Sequence, residues 1–359
     1  MMHRPLPNIY KNKVPAGFSN FHLRFHRFLH YPNDYPWSFK VGNSDEKSKV
    51  WEKLVRDGNK ACRQNSNLFK NLLDSPSQLL TQLQQNPHSG SIELFSSSYQ
   101  LQERMCVGAA EKTALETGML LHPLYGLPYI PASSIKGSVR SAWLMDLALR
   151  WGVPLKDGMS SDQLKIWKEK ISQRLEKKTK QTPMDFLEHV LVEAASKDSV
   201  KGSEGQKSVT ALGMLFKSLK DIGHGNDLHD LNDEQLLMEL QQFARCFGSQ
   251  ERSGKAEFFD SFPDIGKTGN RDIFELDMVN PHYGEYYNPG SNAPPADYLS
   301  PNPNIFITVC KGVFFKFQIM APREIMPDIR NHLETALEFW GMGSRTALGY
   351  GLFRLNRKQ

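Results

Sequence analysis

Cysteine is scarce. Cys62, Cys106, Cys246 and Cys310 are the only four in 359 residues, and no two form a C-x-x-C pair. That excludes a disulfide framework, removes the usual zinc-ligand spacing and fits a reducing compartment. A long apolar run is also missing: no stretch approaches the roughly 20 residues of a membrane span. The start, Met1-Met2-His3-Arg4-Pro5-Leu6-Pro7, lacks the apolar segment of a signal peptide. We therefore expect a cytoplasmic protein with no membrane partner. Extreme charge is absent too, with a net of +5. Any nucleic acid must be met by locally concentrated cations. Nor is there a phosphate-binding P-loop: G-x-x-x-x-G-K-[ST] needs glycine five residues after Gly126, where Pro131 stands.

What is present suffices for a core. The hydrophobic fraction is 39%, with 21 phenylalanines. The length accommodates one large domain with insertions or two modest ones. Residues 1–92 read as a mixed N-terminal extension, Pro-rich at first, aromatic-rich from Phe18 to Phe39 and then helix-like. Leu101 to Val107 reads as a strand entering a hairpin. Ser133 or Ser134 is expected to cap a helix from Ile135 to about Trp151, which Gly152 and Pro154 stop. Residues 155–245 read as a polar helical insertion broken by a loop from Ser196 to Ser208. Short strands follow at Ala256–Phe259, Ile273–Val279, Ile305–Val309 and Val313–Met320, the last two flanking a hairpin loop, Cys310-Lys311-Gly312. Ile329, Leu333, Ala336, Leu337 and Trp340 trace one helical face before a strand at Leu352–Leu355. The order strand, helix, strands, helix, strand predicts an α+β fold. Its core would be a ferredoxin-like (RRM-like) βαββαβ unit in residues 93–359, carrying the helical insertion.

Two segments carry candidate chemistry. In Gly341-Met342-Gly343-Ser344-Arg345-Thr346-Ala347-Leu348-Gly349-Tyr350-Gly351, four glycines surround one arginine, one serine and one threonine. Successive amides in such a turn can form an anion-binding nest, to which Arg345 adds a planar fork. The bland alternative is a helix C-cap at Gly341 and a bulged strand. One glycine suffices for a cap, so phosphate contact is the better reading. The second segment runs from Gly126 through Pro131-Ala132-Ser133-Ser134-Ile135-Lys136-Gly137-Ser138-Val139-Arg140. Lys136 sits in a first helical turn, where a cation is locally unfavourable. A bound anion would draw the free amides, the serine hydroxyls, Lys136 and Arg140 together. A solvated basic face over a serine cap explains the same residues equally well. Two anion sites on one surface would suit a phosphodiester backbone better than a nucleotide.

Other groups weigh less. His22, His26 and His30 share a helical spacing that could ligate zinc, but Phe25, Phe28 and Leu29 interleave with them and favour packing. His282, Tyr283, Tyr286 and Tyr287 could stack on bases or pin a proline-rich loop. Lys165 to Lys180 reads as a solvated helix face, with RNA or subunit contact as the sharper alternative. No metal site or cofactor is expected.

The two segments resemble the paired signatures of the repeat-associated mysterious protein (RAMP) superfamily of CRISPR effectors. Arg245 to Asp260 is similar to that superfamily's mid-chain segment. Asp277 to Tyr287 and Asp297-Tyr298-Leu299-Ser300-Pro301-Asn302-Pro303 resemble its type III-B members more specifically. Ala132 departs from the family's usual glycine there, a change that is tolerated unless the position needs positive φ.

The resemblance implies an RRM-like fold and a subunit capping the 3′ end of the guide RNA (crRNA) in a type III-B effector. Implied partners are the guide RNA, indirectly the target RNA, the backbone RAMP subunit, the small helical subunit and another 3′-end capping RAMP subunit. The carried-over RNA-binding residues are Ser133, Ser134, Lys136, Arg140, Gly341, Gly343, Ser344, Arg345, Thr346, Gly349, Tyr350 and Gly351. Arg252, His282 and Tyr283 are further RNA or subunit contacts. In the related RNA-cutting backbone subunit, an aspartate between first strand and first helix assists a metal. Gly108 to Ser134 holds Glu111 and Glu116 but no aspartate, so the chain is read as non-catalytic. The alternatives are a metal-free endoribonuclease using His122 or His332 and a carboxylate–Mg²⁺ nuclease. For Asp260 and Asp277, a turn-capping role is the commoner one.

Overall fold

The computed structural model describes residues 20–26, 44–84, 91–110, 117–155, 159–175, 182–196, 203–224, 232–248, 252–280 and 304–355. The helices and strands form a mixed α+β architecture. Helices α1 (Phe21–His26), α2 (Ser44–Gln64) and α3 (Ser66–Gln84) precede strand β1 (Ile92–Leu101) and helix α4 (Ala132–Arg150). Four helices follow: α5 (Ser161–Leu175), α6 (Pro183–Ser196), α7 (Ser203–Leu219) and α8 (Asp233–Phe247). Then come β2 (Glu257–Phe258), β3 (Phe262–Pro263), α9 (Ile265–Thr268), β4 (Phe274–Val279), β5 (Asn304–Val309), β6 (Phe314–Pro322), α10 (Met326–Thr335) and β7 (Phe353–Arg354). No described helix is long and apolar enough to cross a membrane.

The main sheet runs β2-β6-β1-β7, with β3 also pairing β6. Every neighbouring pair is antiparallel: Tyr99 lies opposite Phe315, Leu101 opposite Phe353 and Phe258 opposite Ile319. β4 and β5 form a separate two-stranded ribbon. β1 thus lies earlier than the expected strand at Leu101–Val107. Its Ser96-Ser97-Ser98 run hides the alternation that Phe95, Tyr99 and Leu101 keep on one face. Cys310-Lys311-Gly312 makes a tight turn, but not a hairpin. It is a corner, since β5 stays with β4 while β6 enters the main sheet. The expected loop at 196–208 is also shorter, because α7 starts at Ser203.

Both faces of the main sheet are covered. On one, the Tyr99 hydroxyl donates to Glu334 of α10 at 2.9 Å, and Trp143 of α4 stacks on His332 of α10 at 4.9 Å and 4°. On the other, the Ser98 hydroxyl donates to Asp264, the residue capping α9, at 2.6 Å. Lys316 there donates to the Leu73 carbonyl of α3 at 3.1 Å. The buried apolar side chains form one cluster reaching from Phe21 to Phe353, so the N-terminal helices share the core. A polar side chain seals the join. Asn59 of α2 is buried; its oxygen accepts from the Ile273 and Phe274 amides at 2.8 and 2.9 Å. Its nitrogen donates to the Phe274 carbonyl at 2.9 Å. The amide thereby stands in for a strand along the edge of β4.

Candidate nucleic-acid interface

Helix α4 starts at Ala132, one residue before the expected serine caps. Pro131 is the flanking residue, at φ −59° and ψ 142°, and contributes no side-chain cap. Its ring fixes φ and sets the entry into the helix. Backbone bonds between Ile130 and Ser261, 2.9 Å in each direction, bring Asp260 to the helix start. There its carboxylate accepts the Ala132 amide at 2.7 Å. Asp260 therefore does the capping, complementing the helix dipole. Ser133, Ser134 and Gly137 are left exposed. Lys136 is half-buried near Cys246 and has no ion-pair partner among the described residues. Arg140 turns into the helical insertion, ion-paired to Glu188 of α6 and lying 5.6 Å from the ring centre of Phe243 in α8. Of the two cations, only Lys136 stays uncommitted at the helix start.

In the C-terminal segment most glycines have a steric reason. Gly341 ends the π-turn Ala336–Trp340 at φ 73°, its amide donating to the Ala336 carbonyl at 3.0 Å. A Cβ at Gly351, at φ 73°, would lie 2.0 Å from the Met342 carbonyl oxygen. One at Gly343 would lie 2.5 Å from that of Cys106. The segment folds back on itself and on the chain after β1. Met342 donates to Gly351 at 2.9 Å, Gly351 to Arg104 at 2.8 Å and Ser344 to Cys106 at 2.6 Å. These bonds consume several amides of the supposed nest. The amides of Gly343, Arg345, Thr346 and Ala347 make no hydrogen bond among the described residues. Gly349, at φ 89°, has open space around its Cβ position. Arg345 is the one non-glycine residue at positive φ (63°) among those described.

The ribbon backs this segment. Asp277 of β4 and Phe306 of β5 are register partners and share a face. The Tyr350 hydroxyl donates to Asp277 at 2.6 Å, and Arg345 lies 4.4 Å from the Phe306 ring centre. Arg104 pairs with Glu275 at 2.9 Å and Asp277 at 3.3 Å. Burial, and then the Asp277 hydrogen bond and charge, push the Tyr350 phenol up to about 12, so it stays a donor.

The two motifs are linked by short backbone bridges: Ser344 to Cys106, Val107 to Leu120, His122 to Leu127 and Ile130 to Ser261. At this bend His122 stacks on Tyr125 at 4.6 Å and 28°, and Tyr129 stacks on Phe262 at 5.7 Å and 19°. Burial lowers the His122 pKa, with Asp260 opposing. His332 is buried against Trp143. Arg252 is exposed beside Ser253, which bridges to Gly248. The His22 and His26 rings lie 4.6 Å apart, tilted at 44°, beside buried Phe21 and Phe25. Lys170 pairs with Asp221 at 3.5 Å. Glu111, Glu116, His30, His282, Tyr283, Tyr286, Tyr287, the segment 297–303 and Lys177 to Lys180 lie outside the described residues. Sequence reasoning missed Arg104 and Phe306. Phe306 lies inside the apolar run Ile305–Val309, which carries no signal beyond a strand.

The RAMP superfamily model matches residues 49–354, a span that includes both motifs, the main sheet and the ribbon. The chain belongs to the RAMP superfamily. Within it, the chain is similar to the CRISPR system subunit Cmr6 of Pyrococcus furiosus, 28% identical over 264 residues, 73% of this chain and 68% of that one. It is similar to Cmr6 of Saccharolobus solfataricus as well, 30% identical over 118 residues, 33% of this chain and 38% of that one. Among solved structures, the crystal structure of Cmr6 from Pyrococcus furiosus is 27% identical, covering 73% of this chain and 98% of that one with a TM-score of 0.38. A chain in the cryo-EM structure of the type III-B Cmr-beta complex bound to cognate target RNA is 19% identical, covering 89% and 82% with a TM-score of 0.45.

Proposed function

We propose that this chain is a non-catalytic, RNA-binding structural subunit of a type III-B CRISPR effector, holding the 3′ end of the guide RNA. The observation that carries this reading is the similarity to Cmr6 along 73% of the chain, within a superfamily match that includes both candidate phosphate motifs. The strand order β7-β1-β6-β2, with α4 after β1 and α10 after β6, supports a ferredoxin-like core. Residues 1–92 act as an extension and 155–245 as an insertion. An RRM-type sheet stacks bases on its open face, but here α3 and α9 cover that face. RNA is therefore met at the loops, by Ser133, Ser134 and Lys136 at one end and by Gly343, Ser344, Arg345 and Thr346 at the other. Neighbouring Cmr subunits and, through the guide, target RNA complete the assembly.

Placement of the acid–base candidates supports the non-catalytic reading. His332 is stacked in the core. Asp260 is engaged with the Ala132 amide and Asp277 with Tyr350 and Arg104. The test is to crosslink the assembled complex, sequence the RNA bound to this subunit and assay cleavage with and without EDTA. Guide 3′-terminal sequence at this subunit is expected. Loss of RNA cleavage in His122→Ala or Asp260→Asn complexes that still assemble would overturn the non-catalytic role.

A further inference from the structure

Among the described residues, arginines that lie against a ring differ in whether a carboxylate also holds them: Arg140 and Arg330 have one, and Arg345 does not. Arg63, Arg104, Arg140, Arg150, Arg245 and Arg330 each lie within 3.3 Å of a carboxylate oxygen. Arg345 has no such partner among the described residues. Its guanidinium lies 4.4 Å from the centre of the Phe306 ring, which is fully buried. A carboxylate would neutralise the cation and take up its donors. A neutral ring attracts the cation through its quadrupole and leaves charge and N–H groups available. The backbone at Arg345 is also costly, at φ 63° in a non-glycine residue. Such a conformation persists only where the surroundings over-determine it. Here they do: Ser344 is bonded to Cys106, Tyr350 to Asp277, and Phe306 fixes the head group.

We infer that Phe306 and Asp277, opposite each other on the β4–β5 ribbon, are positioning residues for RNA contact. Phe306 aims Arg345 at an RNA phosphate, and Asp277 anchors the loop through Tyr350. This rests on the phosphate-contact reading above and adds the device that makes Arg345 competent. It also gives the ribbon a role: one face carries Asp277 and Phe306, while Phe274, on the other, packs against Phe21 with ring centres 4.8 Å apart. Arg104, neutralised by Glu275 and Asp277, belongs to the anchor and not to the RNA-binding set.

The test uses the assembled complex and a synthetic single-stranded RNA of the guide's 3′ region, comparing Phe306→Leu, Arg345→Ala and the double variant. Leucine keeps apolar bulk in the buried site and removes the ring quadrupole. Phe306→Leu is expected to weaken RNA binding about three- to tenfold. It should weaken it no further in the Arg345→Ala background, while lowering thermal stability in both backgrounds, less in the second, where no guanidinium remains for the ring to hold. Tyr350→Phe, which removes only the hydroxyl bonded to Asp277, should weaken binding in the same direction. Losses that add, or no loss with Phe306→Leu when Arg345→Ala does lose affinity, overturn the positioning role and leave the phosphate contact standing. Unchanged affinity with Arg345→Ala overturns both.

Discussion

Asp260 accepts the Ala132 amide at 2.7 Å across 128 residues of sequence, closing the start of α4 with a carboxylate from the turn between β2 and β3. This bond ties the helix to the sheet edge and takes up the Ala132 amide, leaving Ser133, Ser134 and Lys136 on the exposed side of the helix start.

Asp260→Ala removes that acceptor and the favourable charge at the helix start. The expected cost is about 1–2 kcal/mol. Asp260→Asn keeps an acceptor oxygen and should lose less. Urea denaturation of the two variants measures the difference; equal losses would assign the effect to charge alone.

The glycines divide by what a methyl group would meet. Gly137 lies in α4, exposed, with nothing within 4 Å of its Cβ position. Gly137→Ala should stabilise the protein by about 0.5–1 kcal/mol. Gly351→Ala should cost at least about 2 kcal/mol, from the left-handed backbone and from displacing the neighbouring chain. Gly349, left-handed but unobstructed, should fall between, costing about 1 kcal/mol. Thermal denaturation gives the order.

His122 predicts a pH dependence. Burial holds its pKa below the ordinary imidazole value, with Asp260 opposing more weakly. The unfolded chain takes up the proton near pH 6.5 and the folded ring does so only at lower pH. The stability tied to a neutral ring is therefore complete above the unfolded pKa. It is lost as pH falls from there toward the folded value. Tyr125, Tyr129 and Phe262 pack against the ring and supply no compensating charge. His122→Gln should flatten the fall in unfolding free energy between about pH 7 and 5.5, measured by urea titrations across that range.

The sequence made α4 legible because its apolar stripe, Ile135, Val139, Trp143 and Leu147, is fully buried. The strands at 274–279, 304–309 and 314–322 were equally readable from their apolar runs. Partners distant in sequence were not readable. Nothing near Ala132 announces Asp260, and nothing in Ile305–Val309 announces a ring for Arg345. β1 escaped because Ser98 is spent on Asp264 on one face, while Ser97 interrupts the apolar series Phe95, Tyr99 and Leu101 on the other. The C-terminal motif was visible as glycines. Their division between packing and ligand contact depends on carbonyls of Arg104, Cys106 and Met342, whose positions only the fold sets.

That division sharpens the phosphate prediction. Lys136 has no described ion-pair partner, and Arg345 is held by a neutral ring. Arg140 is neutralised by Glu188. Changing Lys136 and Arg345 together to alanine should weaken binding of the guide 3′ region. The slope of log affinity against log salt should fall by about 0.7 for each phosphate left without its cation, or about 1.4 for both. Arg140→Ala should leave that slope unchanged and instead lower stability, because it removes the ion pair with Glu188 and the packing on Phe243. Salt titrations of the assembled complex, paired with thermal denaturation of each variant, separate the two behaviours. A slope that falls with Arg140→Ala and not with the double variant would reverse the assignment, placing the RNA over the helical insertion.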